Sequence, residues 1–503
     1  MYMVGTFKEA ILMAKGDYAV PQNIRDMKPK GTIVKKIHGK YYVYEHSYVK
    51  DNNTGKWKTK SGKLIGRIDE KDGFIANDSY VSDEEVTSLE YGQYALAYSA
   101  SVSVLEKLKQ VFNPIDAKTI YFMALCSFVN GYTYLRDYKA FFDQSYLSLE
   151  FNGLSMSREY LSQFIDDLGR KETRPLKFQQ LLINESSKQL AIDGHVIRCC
   201  SEENDLAEMG NKYNKFCDTQ INLLAAYDVK NMHPVFARYY PGSSLDKVSV
   251  RDAIETVDFN DVLFIVDRGF YSEENIKIFT ENGCNYIIPL SRNLSAYKQT
   301  VTDLAFNGSF LYQKGKHYSS VSYKEAEYKG RRIIIFRDDY EHLTGITDYK
   351  VNITKNPKKY TEEKLEKLQD YFGMIVLQTS FSIEEKSAQE IYENYKKRWK
   401  IENFYGFVKN TCRIEAIHQQ GYYKTQGLSF IFLVTGLIQS EYVKKLSKVN
   451  GVTIKKSLID SRFIKINKKG KKWQMTNVKK STKTKMEKMG FDFEKEAKLL
   501  ELL

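Results

Sequence analysis

The order of apolar runs between residues 186 and 290 constrains the fold most. Three strand-like runs come first, 189-QLAIDGHVIRC-199, 220-QINLLAAYD-228 and 233-HPVFARYY-240, with the turns GNKYNK and DVKNM between them. A helix over 249–257, capped by Ser249, follows. Then come the apolar strand 262-VLFIV-266, a turn at DRGF, a helix over 272–283 and a strand over 285–290. Three antiparallel strands followed by alternating helix and strand read as a mixed α/β sheet with helices packed on it.

A chain of 503 residues is too long for one ordinary core. Residues 1–20 read as a short helix or arm. Residues 31–70 alternate β-branched and aromatic residues between HGK, NNTGK and KSGK turns, which predicts a small antiparallel sheet, basic and rich in tyrosine. That module is compatible with nucleic-acid contact and equally with a structural role. Helical spacing predicts helices over 83–112, 117–131 and 156–170, the last capped by Ser157 and stopped at Gly169. This last helix fits the second helix of a helix-turn-helix and fits an ordinary bundle as well. Residues 291–370 interrupt the sheet with a strand-like run 319–339, hairpinned at YKG, and a charged helix over 359–372. A strand at 373–380 follows, then a capping box at Ser382 and Glu385 that opens a helix running to 410, and a core helix over 425–447. The expected regions are 1–80 (a small basic β module), 81–185 (helical, DNA-binding), 186–290 and 371–443 (the two parts of a catalytic core), 291–370 (a mostly β insertion) and 444–503 (basic).

Net charge is +13, which points to a polyanionic partner. Sixteen Lys and Arg stand against two acids between Lys444 and Lys488, a local balance of 16 − 2 = +14, so the rest sums to 13 − 14 = −1. A charge run is ordinarily a solvated tail. This one is interleaved with Phe463, Ile466, Trp473 and Met475, so contact with a DNA backbone is a second reading. None of the six cysteines forms a CxxC, and no His/Cys cluster has zinc-ligand spacing, so reduced thiols in a cytoplasmic protein are expected. The longest apolar run, 428-LSFIFLVTGLI-438, is too short to span a membrane, and the first residues lack the order of a signal peptide.

The helix through 391-IYENYKKRWKIENFYGFVKN-410 carries Tyr395, Arg398, Glu402 and Lys409 at angles of about 0°, 300°, 340° and 320°. An acid, two bases and a phenol on one stripe call for something polar in front of it, namely DNA phosphate with a metal ion. Asp193 lies inside a strand, a costly place for an unpaired carboxylate. Asp267 ends the strand VLFIV, where α/β sheets place ligands. Taken singly, Asp267 reads as a turn residue and Glu402 as half of a surface ion pair. Together, three carboxylates on separate elements can hold two hard divalent cations for in-line phosphoryl displacement. His195 faces the same side of its strand as Asp193 and is a candidate for phosphate or metal-bound water, although a structural histidine is the ordinary reading. Arg268 and Tyr271 are candidates for DNA contact.

The spacing Tyr395-x2-Arg398-x3-Glu402-x6-Lys409, with RWKIENFYGFVK, DRGFYSEEN and AIDGH around the acids, resembles the DDE transposases of bacterial insertion sequences. The likeness is to the cut-and-paste group marked by a Y-x2-R-x3-E-x6-K signature, and covers roughly residues 186–440. The resemblance implies a ribonuclease-H-like fold with an insertion before the Glu. It implies a Mg²⁺-dependent DNA endonuclease and strand transferase, with Mn²⁺ as an alternative ion, acting as a homodimer on element ends and target DNA in the bacterial nucleoid. By the same resemblance Asp193, Asp267 and Glu402 bind the metals, while Tyr395, Arg398 and Lys409 hold the DNA end. A ribonuclease-H-like nuclease without strand transfer and a DNA-binding protein without catalysis are the alternatives.

Overall fold

The computed structural model describes residues 20–50, 57–77, 88–201, 203–210, 218–301, 305–410, 416–469 and 472–501. The first arm, the NNTGK turn and most of GNKYNK lie outside them. The chain divides into two compact units, one of residues 1–87 with 468–471 and one of 88–467 with 472–503.

The first unit is an antiparallel meander of β1 (Thr32–Ile37), β2 (Lys40–Lys50), β3 (Trp57–Asp69) and β4 (Gly73–Ala76). Strand alternation buries Val34, Tyr41, Val43, Ile65 and Ile68 against Val20 and Ile24. It turns Lys35, Tyr42 and Arg67, which are neighbours in register, to the other face. The HGK turn forms as expected, with His38 and Gly39 both at positive φ, the requirement of a two-residue hairpin. KSGK is not a turn. It lies inside β3, where the register slips opposite Tyr44 and His46, so the extra residues are absorbed as a bulge.

The second unit is built on a mixed sheet of eleven strands. A short β5 (Ser88–Glu90) precedes it. The sheet's strands are β6 (Gln189–Cys199), β7 (Glu208–Met209), β8 (Thr219–Asp228), β9 (His233–Pro241), β10 (Leu263–Val266), β11 (Asn285–Pro289), β12 (Gly308–Lys314), β13 (His317–Tyr328), β14 (Arg331–Asp338), β15 (Met374–Thr379) and β16 (Ala416–Ile417). The order is β12-β13-β14-β15-β11-β10-β6-β8-β7, with β9 on β8 and β16 on β6. β6, β10 and β11 are parallel, and β8 and β9 continue antiparallel from β6. β8 and β10 are buried almost throughout, as apolar runs covered on both faces require.

Several expectations change. The region 291–370 is not mostly β: helices Ser295–Thr300, Asp339–Lys355 and Glu362–Leu368 accompany three strands that extend the main sheet through β15. Of the helix expected over 83–112, residues 83–87 lie outside the described residues, Ser88–Glu90 is a strand, and the helix runs over Gly92–Lys109. Ser249 lies inside helix Asp246–Thr256 and caps nothing. Ser382 and Glu385 bond reciprocally but close only a turn. The helix starts after Ser387, whose box with Glu390 is complete. Ser157 caps helix Arg158–Arg170 as expected, yet Gly169 does not stop it. A Cβ there would meet the Tyr423 carbonyl oxygen at 1.8 Å, and one at Gly427 would meet the Ile165 carbonyl oxygen at 2.1 Å. The two glycines let this helix and the buried helix Tyr422–Leu446 touch backbone to backbone. That long helix also packs on helices Gly92–Lys109 and Pro114–Asn130 and on β9, so the helical region and the sheet share one core.

The basic C-terminal segment is folded. Helix Ile454–Arg462 leads to β17 (Lys465–Lys469), which pairs with β5, and to β18 (Lys472–Met475). Ile466, Trp473 and Met486 are buried. Helices Lys480–Lys488 and Phe493–Leu500 complete the chain. Among the described residues no helix is long and apolar enough to cross a membrane.

Candidate active site

The parallel pairing of β6 with β10 sets the centre of the site. Ile192 and Val266 are register partners, so the residues that follow them, Asp193 and Asp267, lie side by side on adjacent strands. Asp193 is mid-strand. Its carboxylate accepts the Gly194 amide at 2.9 Å and lies 3.5 Å from the Arg398 guanidinium. Burial pushes its carboxyl up to about 6; Arg398 and the Gly194 amide oppose that rise, and the negative charges of Asp267 and Asp246 add to it.

A further acid, Asp246, stands beside this pair. It opens helix Asp246–Thr256, and its carboxylate occupies the space beside two glycines. A Cβ on Gly194 would meet it at 2.3 Å and one on Gly269 at 3.4 Å. Burial, then the charge of Asp267, raises its carboxyl. A carboxylate packed between the neighbours of Asp193 and Asp267 concentrates negative charge at the C-terminal end of β10. No motif marks it in the sequence, because its place depends on two glycines from other elements.

Of the polar stripe, Tyr395, Arg398 and Glu402 are neighbours, on a helix that is interrupted. Helix Ala388–Lys396 passes through a 3₁₀ turn, Lys397–Trp399, into helix Lys400–Asn410. A 3₁₀ turn has about three residues per turn, which brings positions three apart into line. Tyr395 and Arg398 thereby come close enough for each to act on the other's charge. Burial raises the Tyr395 phenol, and the nearby Arg398 cation opposes the rise. Arg398 is largely buried, 3.5 Å from Asp193 and 3.7 Å from Glu402. Burial alone would lower its pKa, but Tyr395, Asp267 and Asp193 together raise it.

Glu402 does not join the two aspartates. Its side chain is 62 % exposed and reaches them only through Arg398. Among the described residues no three His, Cys, Asp or Glu side chains are grouped tightly enough to hold a metal. The donor chemistry nevertheless suits a hard divalent cation: the available groups are carboxylate oxygens, and Asp193, raised to about 6 by burial first and by Asp267 and Asp246 after it, carries a charge that a cation would relieve. Lys409 and Arg268 are exposed. The Tyr271 hydroxyl donates to Glu273, which is ion-paired with Arg331, so this phenol is engaged within the protein. His195 stacks on the Tyr405 ring at 4.8 Å and 17°, as a structural histidine would. Cys126, Cys199, Cys200 and Cys284 are free thiols.

No curated protein matches the chain. Among solved structures, a cryo-EM structure of the piggyBac transposase synaptic complex with hairpin DNA aligns over 74% of this chain and 78% of its own, at 11% identity and a TM-score of 0.36. Residues 185–431, the stretch that holds Asp193, Asp267, Arg398 and Glu402, match the family model of the transposase DDE domain.

Proposed function

We propose that this protein is a cut-and-paste transposase of a bacterial insertion sequence, of the group with the Tyr-Arg-Glu-Lys signature. It binds the element's ends as a homodimer, cleaves phosphodiester bonds there and joins the freed 3′ ends to target DNA. The observation that carries this reading is the pairing of Asp193 with Asp267 on parallel strands, with Arg398 over both. The strand order β9-β8-β6-β10-β11 supports a ribonuclease-H-like core. Asp193 and Asp267, with Glu402 turning in from the rim, are the carboxylates that would hold Mg²⁺ or Mn²⁺. The chemistry such a pair of ions would supply is activation of a water or 3′-hydroxyl and stabilisation of the leaving oxygen.

The chain's own residues do the rest. Arg398 neutralises the acids while the site is empty of DNA and offers its planar donors to an entering phosphate. Transfer of that guanidinium to phosphate frees Asp193 and Glu402 from their ion pairs. Tyr395 stands beside Arg398 and favours its charged form. Lys409 and Arg268 extend the cationic path along the backbone of the DNA end. The test is cleavage and joining of labelled terminal DNA in Mg²⁺ by the full chain, with Asp193→Asn and Asp267→Asn as comparators. Cleavage and joining by the wild type, with both variants inactive but still binding the ends, is the expected result. Cleavage without joining favours a nuclease. Retained cleavage in either variant overturns the assignment.

A further inference from the structure

The hydroxyl of Tyr405 reaches into the strand that carries the first acid. It donates to the Asp193 carbonyl oxygen at 2.5 Å. Asp193 and Ala225 are register partners in β6 and β8. A side-chain hydroxyl therefore stands in the ladder at the rung of Asp193. The ring is buried and stacks on His195, two residues along the same strand. Tyr405 lies three residues after Glu402, on the same helix, Lys400–Asn410. Its neighbour Phe404 stacks on Tyr227 of β8 at 6.2 Å and 28°, and packs against Gly436 of the long core helix. Phe404 thus seats the helix on the core, while Tyr405 ties it to one peptide group.

A buried tyrosine needs a partner for its hydroxyl, and any carbonyl satisfies that need. Here the partner is the backbone of the residue whose carboxylate must meet Glu402. From this coincidence we infer that Tyr405 is a positioning residue, whose hydroxyl sets the separation between the Glu402 helix and the Asp193 strand and hence how well the two carboxylates share a divalent cation. The inference rests on the proposed roles of Asp193 and Glu402 as metal ligands.

The test compares the full-length wild type with Y405F, which keeps the ring and its stack, and with F404L, which loosens the helix without touching the Asp193 carbonyl. Mn²⁺ binding is titrated without DNA by the electron paramagnetic resonance signal of free Mn²⁺, and terminal DNA cleavage is followed against Mg²⁺ concentration. For Y405F the expected results are wild-type-like melting and DNA binding, with Mn²⁺ affinity about 10- to 100-fold weaker. Its cleavage should need proportionally more Mg²⁺ but recover its rate at saturation. F404L should melt earlier with Mn²⁺ affinity unchanged. Wild-type Mn²⁺ affinity in Y405F overturns the inference. So does a rate loss that excess Mg²⁺ does not restore, an equal loss of affinity in F404L, or a Y405F chain that does not fold. A wild type that neither binds Mn²⁺ nor cleaves overturns the transposase reading as well.

Discussion

Asp193 is a carboxylate that the folded chain holds at a cost. Its carboxyl is raised to about 6 from an ordinary value of 3.8. Between those values the folded state keeps a proton that the unfolded state has released, so stability falls as pH rises through this window. Above it the penalty is fully present, and below about pH 4 it is absent. Asp193→Asn should therefore stabilise the metal-free protein at pH 8 by on the order of 1–3 kcal/mol and leave it unchanged at pH 3.5, as read by thermal melts. Arg398 works in the other direction, holding the Asp193 carboxyl down. Arg398→Ala should move the Asp193 titration to higher pH, observable by carbon NMR of the labelled carboxyl without metal. An unmoved titration would show that the guanidinium does not control this acid.

At the scale of elements, local patterns are legible in the sequence and partner choices are not. The strands of 189–199, 220–228 and 262–266 fall where alternation or unbroken apolar runs put them, because period and flanking turns are local signals. Three strands between 308 and 338 join the main sheet, and nothing in their own residues names β15 as partner. The adjacency of Asp193 and Asp267 follows from a register that no motif encodes. Two Ser-x-x-Glu boxes stand five residues apart, and only the second opens a helix, because helical burial resumes after Ser387. Ser387→Ala should cost about 1 kcal/mol in chemical denaturation, with Ser382→Ala near neutral. Gly169→Ala forces a Cβ onto the Tyr423 carbonyl and should cost 1–3 kcal/mol or more, roughly the range of overpacked cores. A neutral Gly169→Ala would mean that the two helices have room to separate.

Across the whole molecule the positive charge sits in two places. Residues 20–77 hold thirteen Lys and Arg against six acids, a balance of 13 − 6 = +7. With +14 in residues 444–488, the remainder sums to 13 − 7 − 14 = −8. The C-terminal run is not a solvated tail, since β17 pairs with β5 and Trp473 is buried. Its exposed lysines, among them Lys472, Lys479, Lys480 and Lys488, are the groups available to phosphate. Replacing these four by Ala should flatten the plot of log affinity against log salt by about 0.9 for each phosphate left without its lysine. An unchanged slope would place the DNA elsewhere.

The pairing of β17 with β5 also has a consequence in time. Lys465 meets Glu90, 465 − 90 = 375 residues earlier, and Tyr91 bonds Glu496. At about 5–20 residues per second, strand 88–90 waits roughly 20–75 s on the ribosome before its partner is made. Until then its edge and the apolar helices behind it have no C-terminal cover. A nascent chain thus holds strand 88–90 without this partner until residues 465–467 have been made.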